Sequence, residues 1–327
     1  MKDLSSGSIP SHIVSMSTQM AIGLIVQTMY FFTDLYFVSK LGDSAIAGVT
    51  SAGNIWFVVL ALTQVLNIGT VALVSHAVGA QQRDTANNVF NQSLSLSLFL
   101  TVFVIAGVYL VSGPYMRTIG ADAATAQAGI DYLYWFAPGL GVQFVMVAMF
   151  ATLRATGMMK PTMILQIVSV FVNILLAPVL IAGWGTGHPM GPAGAGLAST
   201  IATAVGVILS AYYFHSHEKY VSVHREQLRV QFAVWRRLVT IGLPAGLEFF
   251  LMFIVMAVIY WVIRDFGAAA QAGFGVGQSV MRIIMLPAMA VDSIREVRFT
   301  QSPNTCSSSN TTSPMCSPMR TGTSSWR

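Results

Sequence analysis

The stretch Gln27-Thr28-Met29-Tyr30-Phe31-Phe32-Thr33-Asp34-Leu35-Tyr36-Phe37-Val38 decides the fold class. It closes an apolar segment that opens near Ile13, is long enough to cross a bilayer as a helix, and carries a carboxylate inside that span. At 3.6 residues per turn, Gln27, Tyr30 and Asp34 share one helical face, opposite Met, Phe and Val. A carboxylate in hydrocarbon costs on the order of 3 kcal/mol or more, so Asp34 calls for a polar cavity or a place between helices. Two readings stand. Asp34 either lies near an interface, reaching water or capping a neighbouring helix, or belongs to an ion or substrate site. The second is the working reading.

Composition agrees with a membrane protein. Apolar residues make up 54% of the chain and charged residues 9%, with a mean hydropathy of +0.67. Soluble domains carry about 25% charged residues, and so few charges do not cover a soluble surface. Apolar segments alternate with short polar joints at roughly 13–38, 46–75, 91–113, 130–152, 161–183, 193–215, 238–263 and 269–291, each near the length of about 20 residues that a helical span needs. The runs are continuous, without in/out alternation, which favours helices over a barrel. The expected fold is an all-α membrane protein, a polytopic helical bundle.

The joints set the expected orientation. With the N-terminus cytoplasmic, the inner segments carry Lys2, Arg83, Arg154, Lys160, Lys219, Arg225, Arg229, Arg236 and Arg237, and the outer joints Lys40, Arg117 and Arg264. The net charge of +5 therefore speaks of topology in the plasma membrane and of lipid, not of nucleic acid. The basic joint from His217 to Arg237 holds Val230, Phe232, Val234 and Trp235, the makings of an amphipathic helix on the inner face. Cys306 and Cys316 both fall in the polar end and show no metal-ligand spacing.

A repeat organises the whole. Leu41-Gly42-Asp43-Ser44-Ala45-Ile46-Ala47-Gly48 aligns with Phe266-Gly267-Ala268-Ala269-Ala270-Gln271-Ala272-Gly273, on the joints before the second and eighth spans. An even number of intervening spans makes the repeat parallel, about an axis along the membrane normal. The chain then divides into a complete six-helix lobe at 1–215, a basic connector at 216–237, the first two helices of a second lobe at 238–291, and a polar end at 292–327. That end is rich in Ser, Thr, Pro and Asn and builds no core. It reads either as a natural disordered tail or as an out-of-frame end in place of four further helices. The second is favoured, and such a chain is expected not to complete a transport cycle.

The segment Tyr30-Phe31-Phe32-Thr33-Asp34-Leu35-Tyr36-Phe37-Val38-Ser39-Lys40-Leu41-Gly42 resembles the first-helix motif of the multidrug and toxic compound extrusion (MATE) transporters. Further similar segments follow in order: Leu153-Arg154-Ala155-Thr156-Gly157 through Pro161, Asn173-Ile174-Leu175-Leu176-Ala177-Pro178, Gly194 to Thr200, and Ile241-Gly242-Leu243-Pro244-Ala245. The resemblance covers about residues 8–291. It implies an antiporter of two six-helix lobes, monomeric and not an enzyme, that exports organic, often cationic, small molecules in exchange for H⁺ or Na⁺, with no cofactor beyond that ion. It also implies that Asp34 is the first-helix acidic residue of a cation or proton site, with Asn173 in the same polar cluster. Many members carry Asp four residues after that Asn, where this chain has Ala177. Glu248 follows Pro244 by one turn, whereas some branches place a glutamate two turns on, near Met252, so that role is not transferred.

The residues themselves add a polar stripe. Gln166, Ser169, Asn173 and Ala177 follow at i, i+3, i+7 and i+11 on the fifth span. Facing Gln27, Tyr30 and Asp34, with Tyr134 and Thr200 from neighbouring spans, they line an expected aqueous pocket. Stripe amides are more often interhelical hydrogen-bond partners than ligands. Asp34, Asn173 and Thr200 are the candidate ion ligands. Na⁺ needs several such oxygens, while a proton needs only Asp34, and H⁺ is the expected ion. Arg282 is a second intramembrane charge, expected to pair with Glu248, to contact anionic lipid, or to snorkel outward. A flippase for lipid-linked precursors shares this architecture but calls for several basic residues in the cleft. A membrane enzyme calls for a catalytic cluster that the sequence does not show.

Overall fold

Backbone polar groups inside a bilayer must bond to one another, and this chain meets the requirement with helices. A computed structural model of the protein describes residues 33, 36–184, 187, 189–216, 221–223, 225–278 and 281. The helices are α1 (Asp43–Ala52), α2 (Ile55–Gly79), α3 (Arg83–Ile119), α4 (Ala123–Ala155), α5 (Met159–Ile181), α6 (Pro192–Ser216), α7 (Phe232–Ile263) and α8 (268–278). Among the described residues there is no strand. Six helical segments, with α1 and α2 taken as one, are long and apolar enough to span a membrane. They contain or closely match the spans expected from 46–75 to 238–263. The span at 13–38 lies outside the described residues except at 33 and 36–38, and the one at 269–291 is described only through 278 and at 281.

Helix ends follow local chemistry more than hydropathy. α3 begins well before the apolar run at 91, because the polar turns from Arg83 to Gln92 continue the helix out of the membrane. Its 37 residues make it about 55 Å long, well beyond a hydrocarbon core of roughly 30 Å. α4 starts at Asp122, whose Oδ1 accepts the Thr125 N–H at 2.6 Å. That bond holds the mostly exposed carboxyl below the usual carboxylate range. α3 ends where Arg264 donates from Nη1 to the Thr118 carbonyl at 2.8 Å, placing a cation at the negative end of the helix.

α4 is the central post of the bundle. Its Leu133, Leu140 and Phe144 are fully or almost fully buried against Leu66 and Val74 of α2, Val104 and Val108 of α3, and Leu238 of α7. Leu98, Phe99, Val102, Phe103 and Leu110 of α3 face outward, as lipid-contacting side chains do. Small residues let α2 and α7 meet backbone to backbone. A Cβ on Gly242 would strike the Val65 carbonyl, and one on Gly246 would come within 2.9 Å of the Ala61 carbonyl oxygen.

The two joints of the internal repeat share one backbone conformation. Gly42 stands at φ 100°, ψ 172° and Gly267 at φ 89°, ψ 173°, each just before a helix begins. Only glycine adopts this region without strain, which is why the alignment keeps it. Ala47 and Ala272, also equivalent in the repeat, are buried in the same cluster.

The connector departs from expectation. Among its described residues before α7 only Arg225–Leu228 is helical, as one 3₁₀ turn, and Phe232, Val234 and Trp235 already belong to α7. The reason is a set of amides on α3 that hold the backbone of the joint. Asn87 Oδ1 accepts the Ser222 N–H, and Asn91 Nδ2 donates to the Ser222 carbonyl. Gln92 Nε2 donates to the Arg229 carbonyl at 2.7 Å, and its Oε1 accepts the Gln231 N–H at 2.9 Å. These bonds take the place of an interfacial helix.

Candidate functional site

The buried side of α5 follows the helical period: Thr162, Ser169, Asn173, Ala177 and Ile181 all point inward. Ser169 is occupied, its Oγ donating to the Ala202 carbonyl of α6 at 2.6 Å. One turn on, Asn173 is wholly buried, and neither its Oδ1 nor its Nδ2 has a hydrogen-bond partner among the described residues. Leaving a polar group bare in an interior costs about 1–3 kcal/mol, and buried amides are ordinarily paired. Asn173 is therefore a candidate ligand position.

One more turn brings Ala177, also at 0% exposure, into a cluster with Val38, Ala47, Ile181, Ala195 and Ala272. Val38 is the end of the first expected span. Four residues before it in sequence stands Asp34, and four before Ala177 stands Asn173. Asp34, Gln27, Tyr30 and Arg282 lie outside the described residues.

The other candidates are distributed. Thr200 is half-buried, and its Oγ1 donates to the Trp135 carbonyl at 2.6 Å while accepting the Gly139 N–H at 3.2 Å. These two groups are the partners of an i→i−4 helical bond, so the hydroxyl stands between them one residue from Pro138. Proline removes the neighbouring N–H and loosens this turn of α4, and Thr200 re-satisfies it. Tyr134 is exposed and its ring lies tilted against that of Tyr109, with centroids 5.0 Å apart. Gln166 is half-buried. Glu248 is exposed on the apolar outer face of α7, with no ion pair to any described residue.

Two polar arrangements were not visible in the sequence. Arg154 reads there as a loop cation, but its Nη2 donates to Asn67 Oδ1 at 2.6 Å, and Asn67 Nδ2 reaches Gln64 Oε1 at 3.3 Å, well inside α2. Gln271, on the second copy of the repeat, is fully buried. Its Nε2 donates to the carbonyls of Ile119 and Tyr260, and its Oε1 accepts from the Ala121 N–H, tying α3, α7 and α8 together. Polar residues spaced along apolar helices were the available signal, but Asn67 lies 87 residues from Arg154 and Ile119 lies 152 from Gln271.

Six helical segments long and apolar enough to cross a bilayer are those of an integral membrane protein. Residues 20–179, just under half of the chain, match the MatE family model. It is 24% identical over 305 residues to a FAD transporter of Shewanella oneidensis, covering 90% of this chain and 66% of that protein. It is 25% identical over 279 residues to the multidrug export protein MepA of Staphylococcus aureus, covering 84% of this chain and 60% of that protein. The chain thus spans less than two thirds of the length of these relatives. Among solved structures it resembles the MATE multidrug transporter DinF-BH, at TM-score 0.83 and 28% identity over 92% of this chain and 68% of that one.

Proposed function

We propose that this chain forms the ion-coupling part of a secondary antiporter that exports organic, often cationic, small molecules from the cell in exchange for H⁺. The observation that carries the reading is Asn173, a wholly buried amide with both polar atoms unpartnered, inside the region that matches the family. Asp34 supplies the charge and Asn173 the neutral ligand. Their equal sequence offsets from Val38 and Ala177, which share one cluster, support placing them together. The proton is the preferred ion because Ala177 offers no second carboxylate and Thr200 has its hydroxyl engaged with α4. Protonation needs one carboxylate, whereas Na⁺ needs a shell of oxygens.

The substrate follows the names of the relatives only in part. The multidrug export protein among them supports an organic drug-like substrate, and the FAD transporter supports an anionic dinucleotide as a second reading. Both are tested in one preparation. Adding a cationic rhodamine dye or FAD to the purified protein in weak buffer should release protons with the effective substrate, and Asp34→Asn should abolish the release. Dye efflux from vesicles under imposed pH or Na⁺ gradients then measures transport. Proton release that survives Asp34→Asn, or efflux driven by Na⁺ alone, would overturn the assignment.

A further inference from the structure

A cavity of about 370 Å³ lies at the connector end of the bundle, between the end of α2 and the starts of α3 and α7. Its apolar lining is Leu73, Val89 and Val234, and its polar groups are Asp84, Asn88 and Arg237. Asp84 and Arg237 share the cavity without forming an ion pair. Asn88 donates from Nδ2 to Gln231 Oε1, but its Oδ1 is buried and has no donor among the described residues. The cavity therefore presents an exposed carboxylate, an exposed guanidinium and one buried amide oxygen without a donor among the described residues. Its volume is at the lower end of the range for small-ligand sites, roughly 300–1,000 Å³.

We infer that this cavity binds the headgroup of a phosphatidylethanolamine from the adjoining leaflet. Arg237 takes the phosphate, as guanidinium groups do with planar and tetrahedral oxyanions. The primary ammonium donates to the Asp84 carboxylate and to Asn88 Oδ1. A trimethylammonium has no N–H and leaves the Asn88 oxygen bare, so choline lipids are discriminated against. A glycerol headgroup has no cation for Asp84. The surroundings suit the rest of the lipid. Phe232 is 79% exposed, Trp235 packs 5.8 Å from Phe99, and Phe99 and Phe103 continue outward along α3. Phe99 stands 11 residues beyond Asn88, about 16 Å further along the helix axis, where acyl chains lie beside a headgroup held at the cavity.

The test is native mass spectrometry of the purified full chain, delipidated and then equilibrated with bilayer nanodiscs of phosphatidylethanolamine, phosphatidylcholine or phosphatidylglycerol. Phosphatidylethanolamine should be retained about fivefold or more over phosphatidylcholine, and Asp84→Asn and Arg237→Gln should each bring it to the phosphatidylcholine level. Asp84→Glu should keep the preference, and an unchanged melting temperature in each variant separates lost binding from lost folding. Equal retention of the choline lipid, preference for phosphatidylglycerol, or no retained phosphatidylethanolamine overturns the proposal. Soluble glycerophosphoethanolamine should compete only weakly, since it lacks the acyl chains. Competition by it as effective as by the lipid would assign the site to a free phosphoethanolamine compound and overturn the lipid as its source.

Discussion

Asn173 is a buried amide with no hydrogen-bond partner among the described residues. A buried amide without partners is unfavourable by about 1–3 kcal/mol, and an apolar residue of similar size removes that cost. Asn173→Leu should therefore keep or raise the melting temperature of the ligand-free protein while eliminating substrate-induced proton release. A fall in both would mark Asn173 as a packing residue. Thr200 behaves in the opposite way. Thr200→Val strips the hydroxyl from the Gly139 N–H and the Trp135 carbonyl and should cost about 1–3 kcal/mol of stability, while Thr200→Ser, which keeps the oxygen, should cost far less. Thermal unfolding in detergent reads both. Asn173 was legible in the sequence because its polar stripe repeats at helical spacing. The engagement of Thr200 was not, because it depends on a loosened turn at Pro138, on a different helix 62 residues earlier.

At the level of elements, apolar run length located the spans, since a bilayer imposes a minimum length on any helix that crosses it. Helix ends were less legible. Nothing in hydropathy says that Arg83 to Gln92 continues a helix, and the amides there are satisfied by a connector more than 130 residues away. Gln92→Leu frees the Arg229 carbonyl and the Gln231 N–H together. Amide exchange across 227–231 should accelerate by about tenfold or more, while exchange in α4 stays unchanged. No acceleration would show that the 3₁₀ turn holds itself. The start of α4 makes a smaller and pH-dependent contribution. Asp122→Ala should cost about 1 kcal/mol at neutral pH, an upper figure for so exposed a carboxylate. The folded carboxyl titrates below its unfolded value, so this stabilisation is present above the unfolded value and is lost as pH falls through the folded one. The difference in melting temperature between wild type and Asp122→Ala should therefore close toward acid pH.

The molecule as a whole joins two copies of one joint. Gly42 and Gly267 take the same conformation, Ala47 and Ala272 meet in one cluster, and the backbones of α2 and α7 touch through Gly242 and Gly246. The likeness of the two joints was legible from four small residues because only glycine fits the turn. The engagement of the fully buried Gln271 was not, since its three partners come from α7 and from the end of α3 with the joint after it. Gly242→Val should push α2 from α7 and lower the melting temperature by several degrees, whereas Gly273→Ala, which meets open space, should leave it unchanged. The central claim remains the pairing of Asp34 with Asn173. The most direct measurement is copper-phenanthroline cross-linking, in native membranes, of the chain with Cys306→Ser and Cys316→Ser bearing Asp34→Cys and Asn173→Cys, with Val38→Cys and Ala177→Cys in the same background as the reference pair from the observed cluster. Both pairs should form an intramolecular disulfide at comparable rates. A reference pair that cross-links while the 34/173 pair does not would contradict the pairing.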